Sequence, residues 1–243
     1  MQLSPQQKAR LSELRKHVLA NDHTPTADWV GVIENEVRHW SCVQALPQGA
    51  KFFEEFDLYD RQGRTTGVRT WRGICHWLWL RHGCVHGMLF TPTRMAIIQR
   101  RAASVGDSPG YLDMTFAGHM GTNDVLEAAK SEAKEEANVD ISEGSAHVAN
   151  TEDLEPIHHY DYIEPPRPNE EFYNAESRHV FAIRLTVAAM GVVRPLDREV
   201  GSFVLAPLDE AWSFFRAQDI ASALRVSGPS ALYHALRAWA WGT

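Results

Sequence analysis

The stretch EAAKSEAKEEANVD, Glu127 to Asp140, sets the first chemical question of this chain. Projected at roughly 100° per residue, Val125 to Ala137 forms a helix with two unlike halves. Val125, Leu126, Ala128, Ala129, Ala133 and Ala137 share one half, while Glu127, Lys130, Ser131 and Lys134 share the other. Glu136 falls between Val125 and Ala129, Glu132 lies close by, and Glu135 is at the edge of the same small-residue half. A solvated face would interleave its glutamates with lysines, each i,i+4 pair contributing roughly 0.2–0.5 kcal/mol. Only Glu127 fits that pattern. Carboxylates at i, i+3 and i+4 beside small residues repel one another and resist desolvation unless a cation compensates. A hard divalent ion with oxygen ligands is the natural compensation. Periodicity alone leaves two readings open, a solvated face and a cation site.

The elements that must position this helix follow from the flanking sequence. The helix runs from about Asp124 to Ala137, and Asn138 suits a left-handed end. Upstream, FDLYDRQGRTTGVR reads as a hairpin turning at DRQG. GCVHGMLF and RMAIIQRR read as two further strands around the turn TPT. Downstream, SAHVAN and HHYDYIEPPRPNEEFYNAESRHVFAIRLTV suggest strands interrupted by a Pro-rich loop. REVGSFVLAPLDEAWSFF reads as a strand running into a helix, and SGPSALYHALRAWAW as a final helix capped by Ser227. Residues 4–20 form an amphipathic helix with Ser4 as cap and Pro5 at its first position, whereas WVGVIENEVRHW is ambiguous. The expected fold class is α+β, an α/β/α sandwich whose mixed sheet is flanked by helices. Residues 1–50 form an N-terminal helical extension and residues 51–243 the main domain.

Composition narrows the function classes. The chain has 243 residues, 44% of them hydrophobic, enough for a substantial core. A formal net charge of −7 argues against non-specific binding to nucleic acid or to an anionic membrane. Cys42, Cys75 and Cys84 show no CxxC spacing and read as reduced thiols of a cytoplasmic protein. The polar start MQLSPQQKARLSELRKH is no signal peptide, and no apolar run approaches the roughly 18 residues of a membrane span.

GHMGTNDVLEAAKSEAKEEANV resembles the Nudix box, in which a glycine-led loop precedes a helix carrying Arg-Glu and then Glu-Glu. Glu132 takes the place of the glutamate after the arginine, Glu135 and Glu136 the Glu-Glu pair, and Val139 the closing apolar residue. LRHGCVHGMLFTPTRMAIIQRR and PGYLDMTFAGHM are similar to the isopentenyl-diphosphate-isomerase-like branch of Nudix proteins. DLYDRQGRTTG, REVGSFVLAPLDEA and VSGPSALYHAL suit the same branch, so the resemblance covers roughly residues 52–240. It also departs from the pattern. Asn123 stands where the first box glutamate belongs, with Asp124 adjacent; Ser131 replaces the arginine and Asn138 the glycine.

The resemblance implies a metal-dependent diphosphohydrolase for a nucleotide or other small organic diphosphate, with Mg²⁺ or Mn²⁺ as cofactor. Glu132 and Glu135 would be catalytic, and Glu132, Glu135 and Glu136 metal ligands, joined by the backbone near Ala117 and by Glu176. Arg100 and Arg101 would bind the diphosphate. His82 and His119 stand where the isomerase branch places ligands for a second metal, and His76 lies one residue from a third such position. The isomerase itself needs a cysteine just before Gly-His, where this chain has FAGH, with Cys75 and Cys84 elsewhere. Asn123 and Ser131 imply slow catalysis, or else a weakened Nudix-fold module binding a phosphorylated ligand or partner. The expected partner is a small diphosphate, with no nucleic acid and no membrane; a homodimer is compatible with the sequence. Loops AASVGDSPG and YIEPPRPNEEFYN would set specificity, with Tyr111, Tyr162, Phe172 and Tyr173 as aromatic candidates for stacking.

Overall fold

The computed structural model describes residues 2–105, 108–164, 172–216 and 229–241. In chain order these residues form α1 (Pro5–Ala20), α2 (Ala27–Arg38), α3 (Ser41–Gln44), β1 (Glu55–Tyr59), β2 (Thr65–Trp71) and α4 (Arg72–Leu78). Then come β3 (Arg81–Phe90), β4 (Met95–Arg101), β5 (Leu112–Asp113), β6 (Phe116–His119) and α5 (Val125–Ala137). The last are β7 (His158–Ile163), β8 (Ala175–Arg184), α6 (Val187–Met190), β9 (Val200–Pro207), α7 (Leu208–Arg216) and α8 (Pro229–Trp241). Among the described residues no helix is long and apolar enough to cross a membrane.

The chain divides into two compact units. The first comprises Met1–Gly83, His119–Asn123 and Asp161–Ser177. Its α1 opens on a reciprocal cap: Ser4 Oγ accepts from Gln7 N–H, and the Gln7 side chain accepts from Ser4 N–H. The ambiguous segment is α2, capped by Thr26, whose hydroxyl accepts from Trp29 N–H. Leu11, Leu14 and Val18 of α1 and Val30, Ile33 and Val37 of α2 fall at helical spacing and bury together with Phe56, Leu58, Trp71, Ile74 and Leu78. The N-terminal helices therefore share one core with the β1–β2 hairpin and α4. The hairpin forms where expected, and Asp60 Oδ1 ties its turn by accepting from Gln62 and Arg64 N–H. β1 also pairs antiparallel with β3 at Leu58–His82.

The second unit comprises Cys84–Gly118, Asp124–Tyr160 and Arg178–Thr243. Here β4 pairs antiparallel with β9 from Met95–Pro207 to Arg101–Val200, with β3 at Leu89–Ile97 and with β5 at Gln99–Asp113. Met88, Phe90, Ile98, Met114, Val180, Trp212 and Leu236 close its core. β9 runs directly into α7, as the sequence pattern requires. SAHVAN differs from expectation. Only a single bridge, Val148–Leu185, forms there, because Ser145 Oγ donates to Asp140 O and accepts from His147 N–H in place of a ladder. The expected Ser227 cap, residues 106–107 of AASVGDSPG and residues 165–171 of the Pro-rich loop lie outside the described residues.

Because Ile33 is 1% exposed in this shared core, Ile33→Ala should cost about 2–5 kcal/mol. Urea unfolding of the full chain measures it. A midpoint matching the parent would show that α2 is not part of the core.

Candidate metal centres

In the second unit, α5 starts at Asp124, whose side chain accepts from the N–H groups of Leu126 and Glu127. Asp124 is therefore the helix cap, not a displaced box glutamate. Asn138 closes the helix in the left-handed conformation (φ 59°). Glu127 pairs with Lys130 at 2.6 Å on the solvated face. Glu136 is 5% exposed, packed on the side of Ala128, Ala129 and Ala133.

Two of the three glutamates converge on the β6 backbone. Glu136 Oε2 accepts from Ala117 N–H (2.9 Å) and from the Gln99 side-chain amide (2.9 Å). The Glu132 carboxyl lies directly over Gly118, so close that a Cβ there would meet its carbon at 2.1 Å. Glycine at 118 is thus a packing requirement of the carboxylate. Burial pushes the Glu136 carboxyl well above the ordinary carboxylate range, and the nearby charges of Glu132 and Asp113 push it further. The Ala117 and Gln99 hydrogen bonds act in the opposite direction. Glu135 departs from the helical projection. It is exposed, and its Oε1 accepts from Ser131 Oγ at 2.7 Å. Ala117 enters through its N–H, donated to Glu136.

The two arginines separate. Arg100 is exposed and donates to Gly110 O at 2.8 Å, an ordinary strand-end contact. Arg101 Nη1 lies 3.7 Å from Asp113 Oδ2, and Asp113 is itself 4% exposed and adds to the field on Glu136. Arg101 is therefore tied into the acidic cluster.

The first unit holds a second cluster. His76 comes from α4, His82 from the start of β3 and His119 from the end of β6; one ligand nitrogen from each lies within 4.8 Å of the others. His76 Nδ1 lies 3.2 Å from Tyr173 O, and His82 Nδ1 lies 2.8 Å from Leu80 O. A carbonyl only accepts, so both Nδ1 atoms carry the proton and Nε2 holds the lone pair. Nε2 of His76, His82 and His119 is buried with no hydrogen-bond partner among the described residues. His119 Nε2 is 3.4 Å from Glu176 Oε1, within ion-pair range but outside hydrogen-bond geometry. Phe56 stacks on both His82 and His119, at 5.3 Å from each. Burial, reinforced by the neighbouring His119, holds His82 neutral, its pKa pushed down to about 3. Burial likewise takes His76 well below its usual value. Neutral imidazoles with Nδ1 tied to backbone carbonyls are preset as metal ligands.

With the geometry in place, known structures identify the architecture. DR0079 from Deinococcus radiodurans is similar to this chain with a TM-score of 0.50 at 16% identity, over 74% of this chain and 98% of that one. The fold is the Nudix fold. An Ap4A hydrolase from C. elegans (TM-score 0.45, 15% identity, 66% of this chain and 98% of that one) also matches. So does the Nudix domain of Shewanella oneidensis NrtR complexed with ADP ribose (TM-score 0.39, 10% identity, 64% and 85%). At these identities the likeness is one of fold. No family model matches the sequence, and no curated protein does.

Against the Nudix fold, the residues singled out by sequence fall into groups. Glu132, Glu136 and the Ala117–Gly118 backbone come together at α5 and β6, whereas Glu135 and Arg100 do not join them. His82, His119 and Glu176 come together in the other cluster, with His76 added. Gln99 and Asp113 were the residues missed as candidate site members, and His76 was read one residue out of register. A buried glutamine (1% exposed) within the apolar run AIIQRR was the available signal for Gln99.

Glu136 yields a pH prediction for the metal-free protein. Its folded pKa is raised above the ordinary 4.5, so the folded state retains the proton more readily. The stability it contributes is fully present below about pH 4.5 and is lost as pH rises through the folded value. Urea midpoints of the parent should therefore fall relative to those of Glu136→Gln as pH rises. Parallel pH profiles would show that the carboxyl is not strained by burial.

Proposed function

We propose that this chain is a divalent-metal-dependent hydrolase of a small organic diphosphate, working on the Nudix helix. The observation that carries this reading is the convergence of the Glu132 and Glu136 carboxylates on the Ala117–Gly118 backbone. Two crowded carboxylates, one of them buried beside a third at Asp113, form an oxygen donor set suited to a hard cation such as Mg²⁺ or Mn²⁺. Such an ion supplies charge neutralisation on the diphosphate oxygens and lowers the pKa of a bound water. Glu136, fixed by Gln99 and Ala117 N–H, provides an immobile ligand oxygen. Glu132, less buried than Glu136, provides the second ligand and takes the proton of the attacking water. The base role that the family resemblance offered to Glu135 passes to Glu132. Arg101, aligned by Asp113, supplies a guanidinium for the diphosphate.

Ser131 stands where an arginine would orient the glutamates. That orienting task falls here to the Gln99 amide and the Ala117 N–H, which are neutral donors. Slow turnover follows, since a neutral hydrogen bond holds a carboxylate less strongly than a charged one.

Two observations favour a second reading, an isomerase acting on a prenyl diphosphate. One is the triple imidazole cluster with Glu176. The other is Cys84, far from FAGH in sequence, whose Sγ lies 3.0 Å from Gly118 O. The cysteine absent from position 117 thus has a neighbouring thiol on β3.

A panel of diphosphates with Mg²⁺ and Mn²⁺, including isopentenyl diphosphate assayed for allylic product, separates the readings. Phosphate-releasing turnover is expected, with Glu132→Gln and Glu136→Gln each losing at least about 100-fold. That is the upper end of the roughly 10–100-fold typical of outer-shell losses. Glu135→Gln should remain within about threefold of the parent, as an exposed side chain outside the cluster. Full turnover in Glu132→Gln and Glu136→Gln would overturn the hydrolase reading. Allylic product abolished by Cys84→Ala would establish the isomerase instead.

A further inference from the structure

His76 and His82 are joined by the short connection Trp77–Arg81, and residues of the N-terminal segment hold that connection along its length. Arg15 Nε of α1 donates to Trp77 O at 2.7 Å. His23 Nδ1 lies 2.7 Å from Trp79 O, which makes that nitrogen the donor. His23 O in turn accepts from Arg81 N–H at 2.9 Å. The Arg81 guanidinium, 2% exposed, donates to Asp22 O at 2.8 Å and to Thr24 Oγ1 at 3.3 Å. Arg15 also places its guanidinium over the Tyr173 ring, 4.5 Å from the centroid. Tyr173 O is the carbonyl that fixes the His76 tautomer, and Tyr173 N–H donates to His76 O at 3.0 Å.

The backbone shows that this arrangement is imposed. Trp79 ends α4 in the left-handed region at φ 65°, and the two residues that bond the connection at Arg81 and Trp79, Asp22 and His23, are left-handed as well, at φ 53° and 62°. Non-glycine residues in that region cost roughly 1–3 kcal/mol each and persist only where their surroundings over-determine them. Three such residues facing one another mark a junction maintained by its contacts. The spacing it maintains is that between two imidazoles that each place a ligand nitrogen within 4.8 Å of the other's.

We propose that the N-terminal segment is a positioning element of the imidazole centre. Arg15 and His23 clamp the Trp77–Arg81 connection and thereby set how His76 and His82 meet a transition-metal ion. This inference rests on the imidazole cluster being a metal centre. It gives residues 1–50 a role beyond core packing, with Arg15 and His23 acting on the ion only through the histidines.

Co²⁺ titration of the full chain, followed by visible absorption, tests it, with folding checked by circular dichroism. Arg15→Ala and His23→Ala should weaken Co²⁺ binding about 10–100-fold, as outer-shell losses do, and should alter the visible band. His23→Asn should restore the parental affinity and band, because its amide donates to Trp79 O and asparagine tolerates the left-handed backbone. Leu11→Ala, in the same N-terminal core but with an apolar side chain that makes no hydrogen bond to the connection, should lower the unfolding midpoint and leave the band in place. Should Arg15→Ala fail to fold, the His23→Ala and His23→Asn pair decides. Parental affinity and band in the alanine variants, or the same band change in Leu11→Ala, would overturn the clamp alone. A parent chain that binds no Co²⁺ would overturn the metal centre and the clamp together.

Discussion

The imidazoles of His76, His82 and His119, gathered in one cluster, impose the constraint around which the first unit is organised. Each buried Nε2 lone pair without a partner among the described residues, on His76 and on His82, costs roughly 1–3 kcal/mol relative to water. Protonation offers no relief, because burial and the neighbouring rings hold His76 and His82 neutral. What compensates is rigid surroundings. Nδ1 of His76 and of His82 is tied to a carbonyl, Phe56 stacks on two of the rings, and Glu176 closes against His119. The surroundings thus keep the unpartnered nitrogens of His76 and His82 in place despite that cost.

The second unit solves a related problem with oxygen donors. Glu136 is buried among alanines, and its hydrogen bonds to Gln99 and Ala117 oppose but do not cancel the desolvation that raises its pKa. Small residues make this possible. Ala128, Ala129 and Ala133 let α5 approach the sheet, and Gly118 leaves room for the Glu132 carboxyl where any Cβ would collide. The two clusters therefore differ in donor chemistry, carboxylate oxygens on one side and imidazole nitrogens on the other. Carboxylate oxygens suit hard cations and imidazole nitrogens suit transition-metal ions, so the two donor sets are chemically distinct.

The legible part of this arrangement was the part written in period. Helical spacing separated Glu127 from Glu136 and located α1, and alternation located the hairpin, β3, β4 and β9. The Nudix resemblance then paired α5 with the FAGH segment. What escaped was decided by single side chains and single backbone angles. Glu135 shares the outer edge of the helix with Ser131, whose hydroxyl draws it to the solvent side, and no periodicity registers that choice. His76 was one residue out of the expected register because WRGICHWLWL is apolar nearly throughout and hides a short helix that stops at a left-handed tryptophan. Cys84 read as remote because strand pairing, not sequence distance, brings its thiol to Gly118.

The replacement of arginine by Ser131 and the presence of Gln99 belong together. A guanidinium on the helix would orient Glu136 through a charged contact and lower its pKa, keeping it ionised without a metal. The Gln99 amide orients the carboxyl without contributing charge, so the carboxyl remains strained by burial. Neutral positioning by Gln99 and Ala117 N–H is thus a different solution to the same geometric problem, one that fixes the carboxyl without neutralising it.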